Sequence, residues 1–154
     1  MDFDLSDEQR LIQQTVREFA QAEIAPRAEE MDRTHAFPYD LVARMADLGL
    51  MGLPYPEQYS GAGADTVSYA LAVEEVSRAD ASVGITLAAH VSLGCAPFAL
   101  FGSEEQKQRY LVPLARGERL WGFGLTEPEA GSDAGATRTR AELCDGQWVI
   151  EGSK

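Results

Sequence analysis

Basic residues are scarce in this sequence of 154 residues, in which 13 Lys and Arg stand against 25 Asp and Glu. The formal net charge is therefore -12 at pH 7. A protein that binds nucleic acid needs a basic face to meet the phosphates, so this charge argues against that class. A small molecule that carries phosphate is still compatible, because backbone N–H groups and helix N-termini bind anions even in acidic proteins.

Cysteine and histidine are nearly absent as well. Cys95 and Cys144 are far apart, and neither His35 nor His90 lies in a Cys or His cluster. This pattern argues against a disulfide framework and against a metal site. Two reduced thiols are typical of a cytoplasmic protein, and the first ten residues lack the apolar core of a signal peptide. We therefore expect a cytoplasmic location and no bound metal.

The common nucleotide and hydrolase motifs are missing. No G-x-G-x-x-G follows a strand pattern and there is no Walker lysine motif, which argues against the usual dinucleotide-binding fold. The run GSDAG at residues 131–135 superficially resembles a nucleophile elbow. In that motif one residue separates the first Gly from Ser, whereas here Ser follows Gly directly. A hydrolase nucleophile is therefore discounted.

The most apolar run covers residues 79–101, but polar side chains and Pro97 interrupt it. A membrane-spanning helix normally needs about 20 residues with few such interruptions. A helix that is apolar nearly all round also belongs inside a larger helical unit. We therefore expect a buried central helix and no transmembrane segment.

Helical patterns dominate the chain up to Gly117. Capping boxes at residues 6–9 and 103–106 predict the starts of the first and last helices, and Asp65 and Asp80 can cap two others. Between these starts, apolar residues recur at helical spacing. The sequence therefore predicts an up-and-down helical bundle in this part of the chain.

Prolines and glycines predict where the helices end. Pro26 is expected to end or kink the first helix, and Pro113 to strain or end the last one. Gly49 and Gly117 are expected to act as C-terminal stops.

Strand patterns follow Gly117. Residues 120–125 alternate Trp and Phe with Gly, and residues 137–144 alternate again. The pair Asp145-Gly146 is a strong signal for a two-residue hairpin turn, with a return strand at residues 147–151.

The predicted fold is mainly α, with a helical domain at residues 1–117 followed by the first antiparallel strands of an incomplete β-domain at residues 118–154. Two or three strands without further partners make a poor sheet. We therefore interpret the sequence as the front part of a longer protein.

The loop LTEPEAGSD, residues 125–133, is the strongest candidate binding segment. Thr126 and Ser132 carry hydroxyls that both donate and accept, and Gly131 permits close approach of the backbone. Such a loop suits a planar polar heterocycle and a phosphate. An ordinary surface turn explains the same residues, and from the residues alone it is the simpler interpretation.

The run GLTEPEAGSDAGATRTRAE resembles the signature of the FAD-dependent acyl-CoA dehydrogenases. Other stretches fit the same family in order, namely LSDEQRLIQQTVREFAQAEIAPRA, LGLMGLPYPEQYSGAG, VEEVSRADASVG and FGSEEQKQRYLVPLARGE. The resemblance covers essentially the whole chain. It implies the N-terminal helical domain and the opening strands of the middle β-domain of a three-domain protein.

The resemblance also implies a set of site residues. The implied cofactor-binding residues are Phe123, Leu125, Thr126, Gly131 and Ser132. Of these, Thr126 would bond the polar edge of the flavin and Ser132 would also lie close to the acyl-CoA substrate. Glu127 and Asp133 would organise the loop, and the catalytic base would lie outside this chain, so no catalytic residue is assigned.

The implied reaction is the α,β-dehydrogenation of a fatty acyl-CoA thioester to the trans-2-enoyl-CoA, as in β-oxidation, with FAD as cofactor. The implied partners are the acyl-CoA substrate, an electron-transferring flavoprotein and further copies of the chain in a homotetramer. Two alternatives stay open, namely a flavin oxidase or monooxygenase of the same fold, and a non-catalytic helical module used for assembly.

Overall fold

The computed structural model describes residues 4–154. The chain divides into two compact units, of which the first ends at Gly122 and the second covers Phe123–Lys154. The first unit is helical and the second contains a two-stranded antiparallel sheet. The predicted fold class, mainly helical with opening antiparallel strands, is confirmed.

The first unit consists of helical segments that in several places run directly into one another. The α-helices are α1 Asp7–Phe19, α2 Ala28–Thr34, α3 Tyr39–Asp47, α4 Thr66–Ala79, α5 Ala81–Ala89, α6 Ala96–Phe101, α7 Glu104–Gln106 and α8 Val112–Ala115. Wider π-helical turns join them at Ala20–Ile24, His90–Cys95 and Lys107–Leu111, and a 3₁₀ turn lies at Ala25–Arg27. The helix that begins with α5 therefore continues without a break to the end of α6.

The predicted helix caps are present. The Ser6 hydroxyl accepts the Gln9 N–H at 3.2 Å, while the Ser6 N–H donates to the Gln9 side chain at 3.0 Å. Ser103 forms the same reciprocal box, and Asp65 and Asp80 cap α4 and α5. Each cap gives a partner to an N–H that the helix itself leaves unpaired, typically worth about 1 kcal/mol.

Pro26 and Pro113 do not end the helical path. Pro26 lies in the 3₁₀ turn, after which the chain continues directly into α2. Pro113 lies in the first turn of α8, which runs on to Ala115. A π-helical turn precedes each proline, and its wider spacing accommodates the ring that would clash with the carbonyl four residues earlier in a regular α-helix.

Gly49 and Gly117 end helices as expected. Both adopt the left-handed conformation, with φ of 73° and 68°. In this region a side chain is disfavoured, and the reversed residue gives the last carbonyls of the helix new N–H partners. The Gly117 N–H, for example, donates to the Leu114 carbonyl at 2.9 Å.

The core lies where α1 packs along α4 and α4 packs along α5. Its largest fully buried apolar side chains are Val16, Ile24, Leu41, Met45, Met51, Val76, Val83, Leu87, Val91, Leu111 and Leu114. Each such burial contributes about 1.5–3 kcal/mol before the cost of ordering the chain. The helical unit therefore has a real core, as the apolar periodicity indicated.

The continuous helix Ala81–Phe101 contributes one face to this core. Val83, Leu87 and Val91 are buried, whereas Ile85 on another face is 64% exposed. By length and composition alone, this helix of 21 residues would also be able to cross a membrane. Core helices of globular proteins commonly share both properties, and this one packs into the helical unit.

His90 is enclosed in the same helix, with 2% of its surface exposed. Its Nε2 lies 3.0 Å from the Leu114 carbonyl oxygen, which only accepts, so Nε2 carries the proton. Nδ1 then holds a lone pair and is buried without a hydrogen-bond partner among the described residues. His90 is therefore a buried residue of the helical core.

The second unit contains strands β1 Arg140–Cys144 and β2 Gln147–Glu151, paired antiparallel with Leu143 opposite Trp148. Asp145 and Gly146 connect them, with φ of 50° and 78°. Positive φ at both turn residues is the geometry whose twist matches a hairpin. The predicted hairpin is confirmed, including its turn.

The strand expected at residues 120–125 is wrong. This segment forms no strand, and no other segment pairs with it in a ladder among residues 4–154. An alternating pattern favours an extended backbone, but a strand also requires a neighbour that accepts and donates the ladder hydrogen bonds. Trp121 instead packs edge-on against Phe98 within the helical unit, with ring centroids 5.3 Å apart.

Candidate cofactor-binding loop

A tight two-residue turn shapes the 125–133 loop. The Glu127 N–H donates to the Ala130 carbonyl at 2.9 Å, and the Ala130 N–H returns a bond to the Glu127 carbonyl at 3.2 Å. Pro128 occupies the first turn position, where its fixed φ is favoured. The turn places Thr126 just before this pair and Gly131 just after it.

The Glu127 side chain is buried and connects the loop to the start of the hairpin by hydrogen bonds. Only 7% of this residue is exposed. Its carboxylate accepts the backbone N–H of Arg138 at 2.6 Å and that of Thr139 at 3.0 Å. Hydrogen bonds to an ionised acceptor are the stronger kind, so this residue fixes the loop to the strand that follows.

Lys154 completes the anchor. Its ammonium lies 2.9 Å from the Glu127 carboxylate and donates to the Leu125 carbonyl at 2.9 Å. The N–H of Arg138, followed by Thr139 and the ammonium of Lys154, lowers the pKa of Glu127 to about 2. Glu127 is therefore ionised near neutral pH and is unsuited to accept a proton, in agreement with the organising role that the resemblance implies.

The five residues predicted to bind the cofactor all lie on the exposed side of the loop segment. The hydroxyls of Thr126 and Ser132 have no hydrogen-bond partner within residues 4–154, and the same holds for the backbone N–H groups of Leu125, Thr126, Gly131 and Ser132. Leu125 and Thr126 precede the turn, while Gly131 and Ser132 follow it. Phe123 lies two residues before Leu125 on the same extended segment.

These groups fit a flavin nucleotide. N–H and hydroxyl donors suit the polar edge of the ring and the pyrophosphate, and exposed Phe123 and Leu125 offer apolar contact to a ring face. A Cβ placed on Gly131 would meet nothing within 4 Å, so the loop is open where a phosphate would approach. The individual role of each residue stays a prediction.

No group of three or more His, Cys, Asp and Glu side chains arranged to hold a metal ion occurs among the described residues. Asp133 is the last residue of the loop, and its carbonyl accepts the Ala136 N–H at 3.1 Å where a 3₁₀ turn at Ala134–Ala136 begins.

The contacts of Lys154 were not predicted from the sequence. One signal pointed to a missing partner, since residues 125 to 137 contain three acids and no Lys or Arg. An acid that is buried in such a segment must find its cation elsewhere in the chain. Nothing in the sequence, however, showed that Glu127 was the buried one.

A family model described as the acyl-CoA dehydrogenase N-terminal domain matches residues 6–118. The chain belongs to the acyl-CoA dehydrogenase family. The resemblance of the chain to this family is thereby confirmed.

Three relatives illustrate the similarity. A probable acyl-CoA dehydrogenase of Bacillus subtilis is 54% identical over 154 residues, which is 100% of this chain and 40% of the relative. The structure of butyryl-CoA dehydrogenase from Megasphaera elsdenii is 41% identical with a TM-score of 0.92, covering 99% of this chain and 41% of that one. An acyl-CoA dehydrogenase from Bacillus anthracis, solved in complex with FAD, is 42% identical with a TM-score of 0.90, over 97% and 26% of the two chains. This chain thus spans about 40% of the length of the first of these relatives.

Proposed function

We propose that the full-length protein is an FAD-dependent acyl-CoA dehydrogenase that converts a fatty acyl-CoA thioester to the trans-2-enoyl-CoA. One observation carries the proposal. The loop with the family signature presents four backbone N–H groups and two hydroxyls that have no partner within residues 4–154. Polar groups left free in this way are available to a ligand.

The proposed domains of the chain follow from its family. Residues 1–117 would form the N-terminal helical domain, and residues 118–154 would open the middle β-domain. Since the chain spans about 40% of the Bacillus subtilis relative, most of the enzyme would be contributed by other residues of the full-length protein.

Within the 125–133 loop, the apolar side chain of Leu125 and that of Phe123 before it would lie against the flavin ring. The Thr126 hydroxyl and N–H would bond the polar edge of the ring. The N–H groups of Gly131 and Ser132 would bind the pyrophosphate, and the Ser132 hydroxyl would also contact the acyl-CoA. Bound FAD supplies the acceptor for the hydride that leaves the β-carbon, while the protein binds, orients and excludes water.

The base that removes the α-proton is proposed to lie outside this chain. Glu127 is the buried carboxylate of the 125–133 loop, but its pKa of about 2 leaves it a very weak base. Its carboxylate also accepts the N–H groups of Arg138 and Thr139, which fix the loop to the start of the hairpin. The chain described here would therefore hold the cofactor and be inactive by itself.

The apolar helix Ala81–Phe101 offers a second kind of surface. Ile85 and Leu93 are large apolar side chains that remain exposed on it. An apolar wall of this kind suits the acyl chain of the substrate.

We also propose that an electron-transferring flavoprotein is the electron acceptor. We further propose that the full-length protein forms a homotetramer, lies in the cytoplasm and acts in β-oxidation.

Anaerobic titration of the purified full-length protein with butyryl-CoA tests the proposal. We expect a yellow protein whose flavin absorption is bleached by the substrate, with the enoyl-CoA as product. A colourless protein that gains no flavin from added FAD would contradict the proposal and favour a non-catalytic module. Bleaching that is reversed by rapid oxygen consumption without another acceptor would instead indicate an oxidase or monooxygenase.

A further inference from the structure

We propose that Lys154 is a positioning residue for the 125–133 loop, because its ammonium group fixes the Leu125–Thr126 peptide in the orientation that presents the Thr126 N–H to the flavin. The inference rests on the proposed function, since it concerns how the same loop receives FAD. It adds a residue outside the loop to the cofactor site.

The Lys154 ammonium makes two contacts that together determine its position. It lies 2.9 Å from a carboxylate oxygen of Glu127 and donates to the Leu125 carbonyl at 2.9 Å. The aliphatic part of the side chain runs past Gly124, where an added Cβ would lie 3.7 Å from the Lys154 Cβ. The Lys154 side chain therefore lies along the backbone of Gly124 and Leu125, where the loop begins.

The contact to the Leu125 carbonyl also orients the next N–H group. A peptide unit is planar, and in the trans form its C=O and N–H point in opposite directions. No cis peptide occurs among the described residues. Because the Leu125 carbonyl points at Lys154, the Thr126 N–H of the same peptide points away from Lys154. That N–H has no partner within residues 4–154 and belongs to an exposed residue, so it is available to a ligand.

The ion pair with the buried Glu127 carboxylate holds the Lys154 ammonium in place. The Glu127 side chain is 4% exposed, whereas a surface ion pair such as that of Arg44 with Asp47 has both partners exposed. A carboxylate that is taken out of water needs its cation, so Lys154 cannot leave without exposing or protonating Glu127. An exposed pair would give no comparable restraint.

The arrangement links two functions in one side chain. Lys154 neutralises the acid that ties the loop to the start of β1, and the same ammonium sets the orientation of the peptide beside the proposed flavin edge. A residue that served stability alone would need only the first contact. We therefore expect substitutions at Lys154 to change FAD binding by more than they change the unfolding of the cofactor-free protein.

The test compares variants of the full-length protein. The apoprotein of the wild type, Lys154→Met, Lys154→Arg and Lys107→Met is titrated with FAD, and the Kd, the visible circular dichroism of bound flavin and the Tm of the apoprotein are measured. Lys107 is the matched control, because it is the other lysine of the sequence and lies over the Tyr59 ring in the helical unit.

We expect Lys154→Met to raise the Kd for FAD by about tenfold or more and to change the flavin dichroism, since a charge-assisted hydrogen bond is lost. Lys154→Arg keeps a cationic donor and should recover most of the affinity, while Lys107→Met should match the wild type. If Lys154→Met does not accumulate as folded protein, Lys154→Gln replaces it, because this shorter neutral side chain cannot make both contacts.

The outcomes separate the inference from the proposed function. If the wild type binds FAD and Lys154→Met, or Lys154→Gln in its place, binds it with the same Kd and dichroism, the positioning role is overturned and the proposed function stands. If the wild-type apoprotein binds no FAD, both are overturned. A loss of affinity that Lys107→Met reproduces would also overturn the role of Lys154.

Discussion

Arg17 on α1 and Glu75 on α4 form a two-pronged ion pair, with N···O distances of 3.0 and 2.6 Å. Glu75 is only 3% exposed, whereas the arginine reaches it from the partly exposed side of α1. The hydrogen bonds from Arg17 hold the pKa of Glu75 below its usual value, against the opposing effect of burial. This pair joins the same two helices whose apolar faces form the core.

We expect Arg17→Met to lower the Tm of the full-length protein by at least about 3 °C, because it removes both hydrogen bonds from Arg17 to a buried carboxylate and leaves only the longer contact with Arg78 at 3.9 Å. The double variant Arg17→Met/Glu75→Leu should recover most of the loss, since it removes the charge as well. Differential scanning calorimetry of both variants checks this. A single variant as stable as the wild type would show that Glu75 reaches solvent in the native state.

His90 should make stability depend on pH. Burial lowers the pKa of His90 from its usual 6.5, partly opposed by the bond to Leu114, so the folded protein keeps it neutral. The unfolded chain takes up a proton near pH 6.5, and the stability present above that pH is therefore lost progressively as the pH falls below it. His90→Gln should reduce this loss between pH 7.5 and 6, measured by the urea midpoint at both pH values. An unchanged pH dependence in the variant would contradict the assignment.

His35 marks the end of α2 with a left-handed backbone, at φ 57°. A side chain in this conformation costs about 1 kcal/mol relative to glycine. His35 is exposed, so replacing its ring removes no packing from the helical core. We expect His35→Gly to stabilise the protein by about 0.5–1 kcal/mol in urea unfolding, and His35→Ala to give no such gain. A glycine variant less stable than the alanine variant would contradict the claim that the left-handed backbone at His35 is strained.

Gly61 is required by close backbone contact. A Cβ at this position would lie 2.0 Å from the Tyr55 carbonyl oxygen and 2.7 Å from that of Gly52, neither of which belongs to a movable side chain. We expect Gly61→Ala to destabilise the fold by about 2 kcal/mol or more. Gly63→Ala is the control, because its Cβ would meet nothing within 4 Å and only its φ of 68° is unfavourable. Equal urea midpoints for the two variants would refute the contact argument.

Local signals predicted most of the helical unit. Caps at Ser6 and Asp80 depend on side chains three residues from their partners, so the sequence shows them directly. The hairpin at Asp145 and Gly146 was predictable for the same reason. The strand expected at residues 120–125 was wrong because pairing depends on a distant segment, which no local pattern reveals.

In the candidate site, too, local features were predicted from the sequence and tertiary contacts were not. Thr126, Gly131 and Ser132 were named from one contiguous motif, and the structure leaves their polar groups free among the described residues. Lys154 was not predicted, since its contact with Leu125 joins residues 29 positions apart. The burial of Glu127 is likewise a tertiary property, because its N–H partners come from the start of the hairpin.

The most direct test of the central claim is the affinity of Gly131→Ala apoprotein for FAD, measured in the full-length protein beside the wild type. Without ligand the new Cβ meets nothing within 4 Å, so the Tm of the apoprotein should stay the same. If a pyrophosphate approaches the backbone there, the methyl group obstructs it and the Kd for FAD should rise by about tenfold or more. An unchanged Kd would show that FAD does not approach Gly131, and a wild-type protein that binds no FAD would contradict the whole account of this loop.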